Sequence, residues 1–249
     1  MDRAYYLKYF DFEKNHWWFR ARAEILQAYL RRTIKAKSRP RILNVGAATG
    51  GSIAWLSQLG NLTSLEFDSE SVEFIRNHLK EQVTQGSILS LPYADGEFDI
   101  VCAFDVIEHV ENDKLAVSEL NRVCKPGGSV LVTVPAHMHL WNVHDEVNHH
   151  FRRYAMTQLR GLWTGSSGKI EFASFFNNRF YIPIAVIRKF SSVASRIRKQ
   201  KQLKSDFESF SPGKLNEWLF SIMAGEKTKI ERQIPYRLGV SIILHWRKA

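Results

Sequence analysis

The stretch ILNVGAATGGS, residues 42 to 52, decides the fold. Ile42 to Val45 form a short, mainly apolar run, and Gly46, Gly50 and Gly51 then punctuate a turn. The segment that follows, SIAWLSQL, repeats its apolar residues with the period of a helix laid on a sheet. Strand, glycine turn and helix in this order begin a βαβ unit. Glycines at such a turn let the backbone bend sharply and let a ligand approach the free N–H groups of the helix N-terminus.

Working outward, the alternation continues. Candidate strands occupy 41–46, 62–67, 83–87, 98–104 and 129–135, with later ones at 169–176 and 239–246. SESVEFIRNHL and DKLAVSELNRV, between them, have helical periodicity. The first forty residues also read as helical and contain the cluster Trp17, Trp18 and Phe19. The segment 177–237 interrupts the last two strands and is rich in basic residues. One domain over 1–249 is expected: a helical cap (1–38), a core (39–176), a basic helical insertion (177–237) and a last strand (238–249).

A chain of 249 residues with 45% hydrophobic content can bury one full core with an elaboration. Its net charge of +10 attracts anions without choosing among nucleic acid, anionic lipid and small metabolites. The N-terminal sequence lacks a continuous apolar stretch, so a secretory leader is not expected. No apolar run approaches the roughly 20 residues of a membrane-spanning helix. Cys102 and Cys124 lie in core-like sequence, which fits reduced thiols and a cytoplasmic location.

At the end of the second strand, Glu66 stands where an acid accepts hydrogen bonds from two ribose hydroxyls of an adenosine-containing cofactor. A dinucleotide fingerprint would read GxGxxG. The turn here, Gly46-Ala47-Ala48-Thr49-Gly50-Gly51, lacks the middle glycine that lets a pyrophosphate approach, which disfavours NAD.

ILNVGAATG, LEFDSESVEFIR, GSILSLPYADGEFDIVCAFDVIEHV and ELNRVCKPGGSVLVTVP resemble successive motifs of class I S-adenosylmethionine-dependent methyltransferases. The nearest branch is the small-molecule one that includes ubiquinone and menaquinone biosynthesis enzymes. The resemblance covers about residues 40 to 136. It implies a Rossmann-like, doubly wound α/β fold whose mostly parallel seven-stranded sheet has an antiparallel last strand. It implies S-adenosylmethionine as cofactor, with Gly46, Ala48 and Gly50 along its methionine and ribose portion, Glu66 on the ribose and Phe67 on the adenine. Ser87 and Ile88 would meet the adenine edge, and Phe104 would supply backbone near the amino-acid part. Three positions depart from the pattern: Asn44 replaces a common Asp, Ala48 the middle glycine, and Ser87 the acid that reads the adenine amino group.

His109, in DVIEHV, lies just past the fourth strand, where ligands bind in open α/β sheets, and is a candidate base or substrate contact. WNVHDEVNHHFRRY, residues 141 to 154, follows the fifth strand on the same edge. It resembles a W..HDE..GH.RRY segment of related bacterial methyltransferases, matched here by Trp141, His144, Asp145, His150, Arg152, Arg153 and Tyr154. It reads as an acceptor lid, with His150 and Tyr154 as catalytic candidates and His144, Arg152 and Arg153 as substrate contacts. Paired guanidinium groups suit a carboxylate or phosphate. No metal is expected: neighbouring residues among His144, Asp145, His149 and His150 point apart, and no zinc-like spacing with a cysteine occurs.

In the cap, Trp17 and Arg20 are candidates to close over the cofactor and to contact the substrate. In 185–204, Ile187, Phe190, Ala194 and Ile197 line one face, amid Arg188, Lys189, Arg196, Arg198, Lys199, Lys201 and Lys204. That pattern suits a helix on an anionic membrane surface as well as one covering its own domain. No RNA platform or zinc module points to nucleic acid. The expected reaction is methyl transfer to an oxygen, ahead of a nitrogen or carbon, of a small anionic or amphipathic metabolite. The alternatives are an NAD(P)-dependent oxidoreductase and a non-catalytic S-adenosylmethionine-binding scaffold.

Overall fold

β1 (Arg41–Val45) is buried at every residue after the first, as a central strand covered on both faces must be. It pairs in parallel with β2 (Asn61–Glu66) on one side and β4 (Phe98–Phe104) on the other. The computed structural model describes residues 3–34, 39–197 and 213–249. Before β1 come helices α1 (Arg3–Asn15) and α2 (Trp17–Thr33). Between β1 and β4 come α3 (Ile53–Leu56), α4 (Ser69–Phe74), a π-helical turn (Ile75–Leu79) and the two-residue β3 (Thr84–Gln85). Beyond β4, a 3₁₀ turn (Ile107–His109) and α5 (Asp113–Val123) lead into β5 (Cys124–Pro135).

The second half adds α6 (Val143–Val147), α7 (Met156–Gly161), β6 (Gly168–Phe176), α8 (Tyr181–Ile197), α9 (Lys214–Ala224), α10 (Lys227–Glu231) and β7 (Ser241–Lys248). The strand order is β3-β2-β1-β4-β5-β7-β6, with β7 antiparallel to both neighbours. This is a Rossmann-like, doubly wound sheet. Strand order reverses between β1 and β4, so the crevice beyond their carboxyl ends is the expected ligand position.

Two cores sandwich the sheet. On one face, Ala116, Val117 and Leu120 of α5 pack with Val101, Val130 and Leu244. On the other, Ala21, Ile25, Leu26, Tyr29 and Leu30 of α2, at helical spacing, pack with Ile100, Leu131 and Ile243. Met223 of α9 and Ile230 of α10 join that second core, so the insertion is anchored on α2.

Strand limits differ modestly from the sequence expectation. β5 begins at Cys124 because the KPGG stretch stays in the ladder, with a register irregularity opposite Phe98 and Ile100. The basic pattern of 185–204 is only partly within view. Arg198, Lys199, Lys201 and Lys204 lie outside the described residues, as do the side chains of Phe190, Ala194, Arg196 and Ile197. Ile187, placed by its spacing on the apolar face, is 65% exposed, while Ile184 and Arg188 face a cavity. No described helix is long and apolar enough to cross a membrane.

Candidate active site

A cavity of about 860 Å³ opens beyond the carboxyl ends of β1, β2, β4 and β5, within the range of small-molecule sites. Its near end is built from backbone. Gly46 adopts φ +76° and donates its N–H to Leu65 O at 2.9 Å; a Cβ there would lie 2.5 Å from Val106 Cγ2. Ala48 holds a left-handed conformation at φ +49°. Its N–H donates to Glu66 Oε2 at 2.7 Å, while Glu66 Oε1 accepts from the N–H groups of Phe67 (2.8 Å) and Asp68 (2.9 Å). One carboxylate thus ties the turn after β1 to the loop after β2. Burial pushes the Glu66 carboxyl up, opposed by those backbone donors. Its oxygens keep lone-pair capacity for a ribose diol.

Phe67 is 74% exposed at the cavity mouth, and Ile88 and Phe104 are buried in its wall. Ser87 also lines it, with Oγ accepting from Leu89 N–H at 3.1 Å. Gly50 is not part of the wall. Its φ of +96° and the 2.4 Å approach of Leu79 Cδ1 to a would-be Cβ make it a packing glycine.

α1 and α2 close the cavity from above; of the two cap residues the sequence offered, Trp17 and Arg20, Trp17 lines it. Glu13 accepts from Thr49 Oγ1 and from Gly51 N–H, the latter at 3.1 Å, and burial pushes its carboxyl up against those bonds. Arg22 forms an ion pair with Asp105 and lies 4.9 Å from the centre of the Trp18 ring. Trp17, Glu13 and Arg22 all line the cavity, but Arg20 does not. Arg20 pairs with Glu217 of α9 and stacks on Phe220, fastening the insertion to the cap.

The far end is a cluster of histidines and acids. His109, His144, His150 and Arg153 line it together with Glu108. His109 is exposed to the cavity, and the groups crowded around it, followed by the neighbouring His150, push its pKa down. Asp145 is fully buried; its Oδ1 accepts from His150 Nδ1 and from Arg153 Nε, both at 2.8 Å, and its Oδ2 accepts from Asn142 N–H at 2.9 Å. Burial works against the Asp145 charge, yet the His150 hydrogen bond and Arg153 outweigh it and hold the carboxyl at about 2.

The expected lid is therefore partly a structural corner. Arg153 is spent on Asp145, and Arg152 is spent on Asp113 (2.7 Å) and on Glu111 O (2.7 Å), outside the cavity wall. Tyr154 is fully buried in the core, donating to Asp113 Oδ2 at 3.0 Å, and does not reach the cavity. Its catalytic assignment, and the substrate assignment of Arg152, do not match these positions. Sequence reasoning missed Glu13, Arg22 and Glu108. The one available signal was the acid of DVIEHV, set among apolar neighbours directly before His109.

Comparison with known proteins agrees with this geometry. Residues 43–132 match the family model described as a methyltransferase domain. A glycine/sarcosine/dimethylglycine N-methyltransferase of Actinopolyspora halophila is 37% identical over 105 residues, covering 38% of this chain and 18% of that protein. A probable S-adenosylmethionine-dependent methyltransferase of Mycolicibacterium smegmatis is 30% identical over 124 residues, 49% of this chain and 47% of the relative. The chain thus spans at most about half the length of these relatives. A putative sarcosine dimethylglycine methyltransferase from Galdieria sulphuraria shares the fold at TM-score 0.55 and 15% identity, over 90% of this chain and 82% of that one. Over residues 43–132 the chain is similar to methyltransferase domains, and a probable S-adenosylmethionine-dependent methyltransferase is among the proteins it resembles.

Proposed function

We propose that this protein transfers a methyl group from S-adenosylmethionine to an oxygen, ahead of a nitrogen or carbon, of a small amphipathic metabolite. The observation that carries the reading is that one cavity joins two ends: the Glu66–Ala48 cradle and the His109–His150 pair. The bound cofactor supplies an activated methyl on a sulfonium. The chain's own residues supply position and dryness. Gly46, Glu66, Phe67, Ile88 and Phe104 line the cavity; Gly46 would admit the cofactor against the backbone, Glu66 would receive its ribose hydroxyls, and the apolar three would flank its adenosine.

Holding acceptor and donor in line is worth roughly 7–11 kcal/mol of barrier, which explains why the class needs no elaborate acid/base apparatus. An acceptor hydroxyl in this cavity meets a neutral His109 ring, able to take its proton. Trp17, Trp18, Phe151 and Ile184 around the mouth favour an apolar body on the acceptor. Because Arg152 and Arg153 are already paired, the case for an anionic acceptor through them is weak. Exposed Ile182, Val186 and Ile187 on α8 are consistent with a membrane-surface contact through 185–204, tested by flotation with anionic vesicles.

The test is incubation of cell extract with the protein and methyl-labelled S-adenosylmethionine, followed by mass spectrometry. One metabolite gaining the label is expected. Binding without any labelled product would instead favour a non-catalytic scaffold.

A further inference from the structure

Glu108 is 0% exposed, and among the described residues its carboxylate oxygens have no well-formed hydrogen bond. A lone buried carboxylate is costly, and proteins that keep one usually pair it. The nearby guanidinium groups are engaged elsewhere, Arg22 with Asp105 and Arg153 with Asp145. Two imidazoles stand beside it instead. One donor atom from each of Glu108, His109 and His150 lies within 4.8 Å of the other two. The two rings meet edge to face with centroids 4.6 Å apart.

Both histidines have the backing that ligating histidines have. Asp145 Oδ1 holds His150 Nδ1 at 2.8 Å, which leaves Nε2 for a ligand position. The Asn148 backbone carbonyl lies close enough to the His109 ring to favour its N–H. Such outer partners fix ring orientation and tautomer. Phe151 N–H donates to Glu108 O at 2.8 Å, clamping the two ligand-bearing segments together. The sequence reading sought ligands within 144–150, where neighbours diverge; this cluster draws on two segments some forty residues apart.

We propose that Glu108, His109 and His150 bind a divalent transition-metal ion at the acceptor end of the cavity, through one carboxylate oxygen and two ring nitrogens. Two nitrogens and one oxygen, without thiolate, suit Zn²⁺, Mn²⁺, Fe²⁺ or Co²⁺ and not the all-oxygen shells of Ca²⁺. Metal–ligand bonds of about 2.0–2.2 Å require the donors to close in by roughly an ångström. His109 ends a 3₁₀ turn and His150 lies in the loop beyond α6, so small adjustments suffice. Three protein ligands leave positions open toward the cavity, as in catalytic and not structural sites. An acceptor oxygen completes the shell; that last point rests on the methyl-transfer reading, whereas ion binding does not.

The full chain, stripped with chelator, is titrated with Co²⁺ and followed by visible absorption and calorimetry. One ion per chain with d–d bands is expected. Affinity falls more than about 100-fold in Glu108→Gln and in His150→Ala, beyond the roughly 10–100-fold typical of losing an outer partner. It is unchanged in His149→Ala, whose ring is exposed. Circular dichroism confirms folding, and His109→Gln replaces the Glu108 variant if the latter unfolds. Absence of Co²⁺ binding, or wild-type affinity in folded ligand variants, overturns the proposal. Methyl transfer that survives chelation leaves the function intact and returns the histidines to proton acceptance; metal binding without transfer separates the two readings the other way.

Discussion

The two ends of the cavity are built by different means. At the near end, Gly46, Ala48 and Glu66 are placed by strand ends and backbone hydrogen bonds within a segment of some twenty residues. At the far end, His109 and His150 are placed by three kinds of contact: the buried Asp145–Arg153 pair within one segment, the Tyr154–Asp113 side-chain bond between distant segments, and the backbone bond from Phe151 N–H to Glu108 O. The difference teaches that the near end depends on conformation and the far end on buried charge. Substitutions should therefore separate binding from chemistry.

The largest effect is expected at the far end. His109→Gln should lower label transfer roughly 10²–10⁴-fold while S-adenosylmethionine affinity stays as in the wild type. Parallel loss of both would merge the two ends into one unit. Next, Arg153→Met leaves the fully buried Asp145 without its cation, and breaking such a pair costs about 3–5 kcal/mol in denaturant unfolding. A loss under about 1 kcal/mol would mean that the corner is not held by charge.

A smaller effect belongs to the cap. Burial pushes His16 down to about 4, and its ring accepts from Trp18 N–H at 3.2 Å at the start of α2. The unfolded chain takes up this proton near the ordinary 6.5, the folded chain only near 4. Its contribution to stability is therefore present above pH 6.5 and is lost as pH falls through the interval down to 4. His16→Asn keeps a capping acceptor without a titrating group, so it should flatten stability over that interval; an unchanged pH profile would assign the sensitivity to other groups. The smallest effect is expected for Arg20→Ala, about 1 kcal/mol or less in stability, and turnover should be little altered in both Arg20→Ala and Arg152→Ala. A large drop in turnover for Arg152→Ala would restore it to the acceptor site.

What the sequence made legible follows the same division. The alternation of strands and helices and the glycine turn were readable because each is fixed by neighbours in the chain, whereas the seven-stranded sheet with its antiparallel last strand came from the resemblance. The docking of α1, which brings Glu13 to Thr49, was not readable, because periodicity says that a helix has an apolar face and not where that face lands. Arg152 and Arg153 read as a binding motif because guanidinium suits anions, and Tyr154 read as a catalytic candidate beside them. Only the fold reveals that their partners are internal. Glu108 drew no reading from the sequence, although the fold buries it fully.

The central claim is that the Glu66 cradle holds S-adenosylmethionine. Calorimetric titration of wild-type protein and Glu66→Gln with S-adenosylmethionine and with NAD tests it most directly. A hydrogen bond to a charged group is worth about 1.5–3 kcal/mol, so the variant should bind S-adenosylmethionine more than about tenfold more weakly. The wild type should bind one equivalent and give no heat with NAD. Binding of NAD in place of S-adenosylmethionine, or an affinity indifferent to Glu66→Gln, would contradict it.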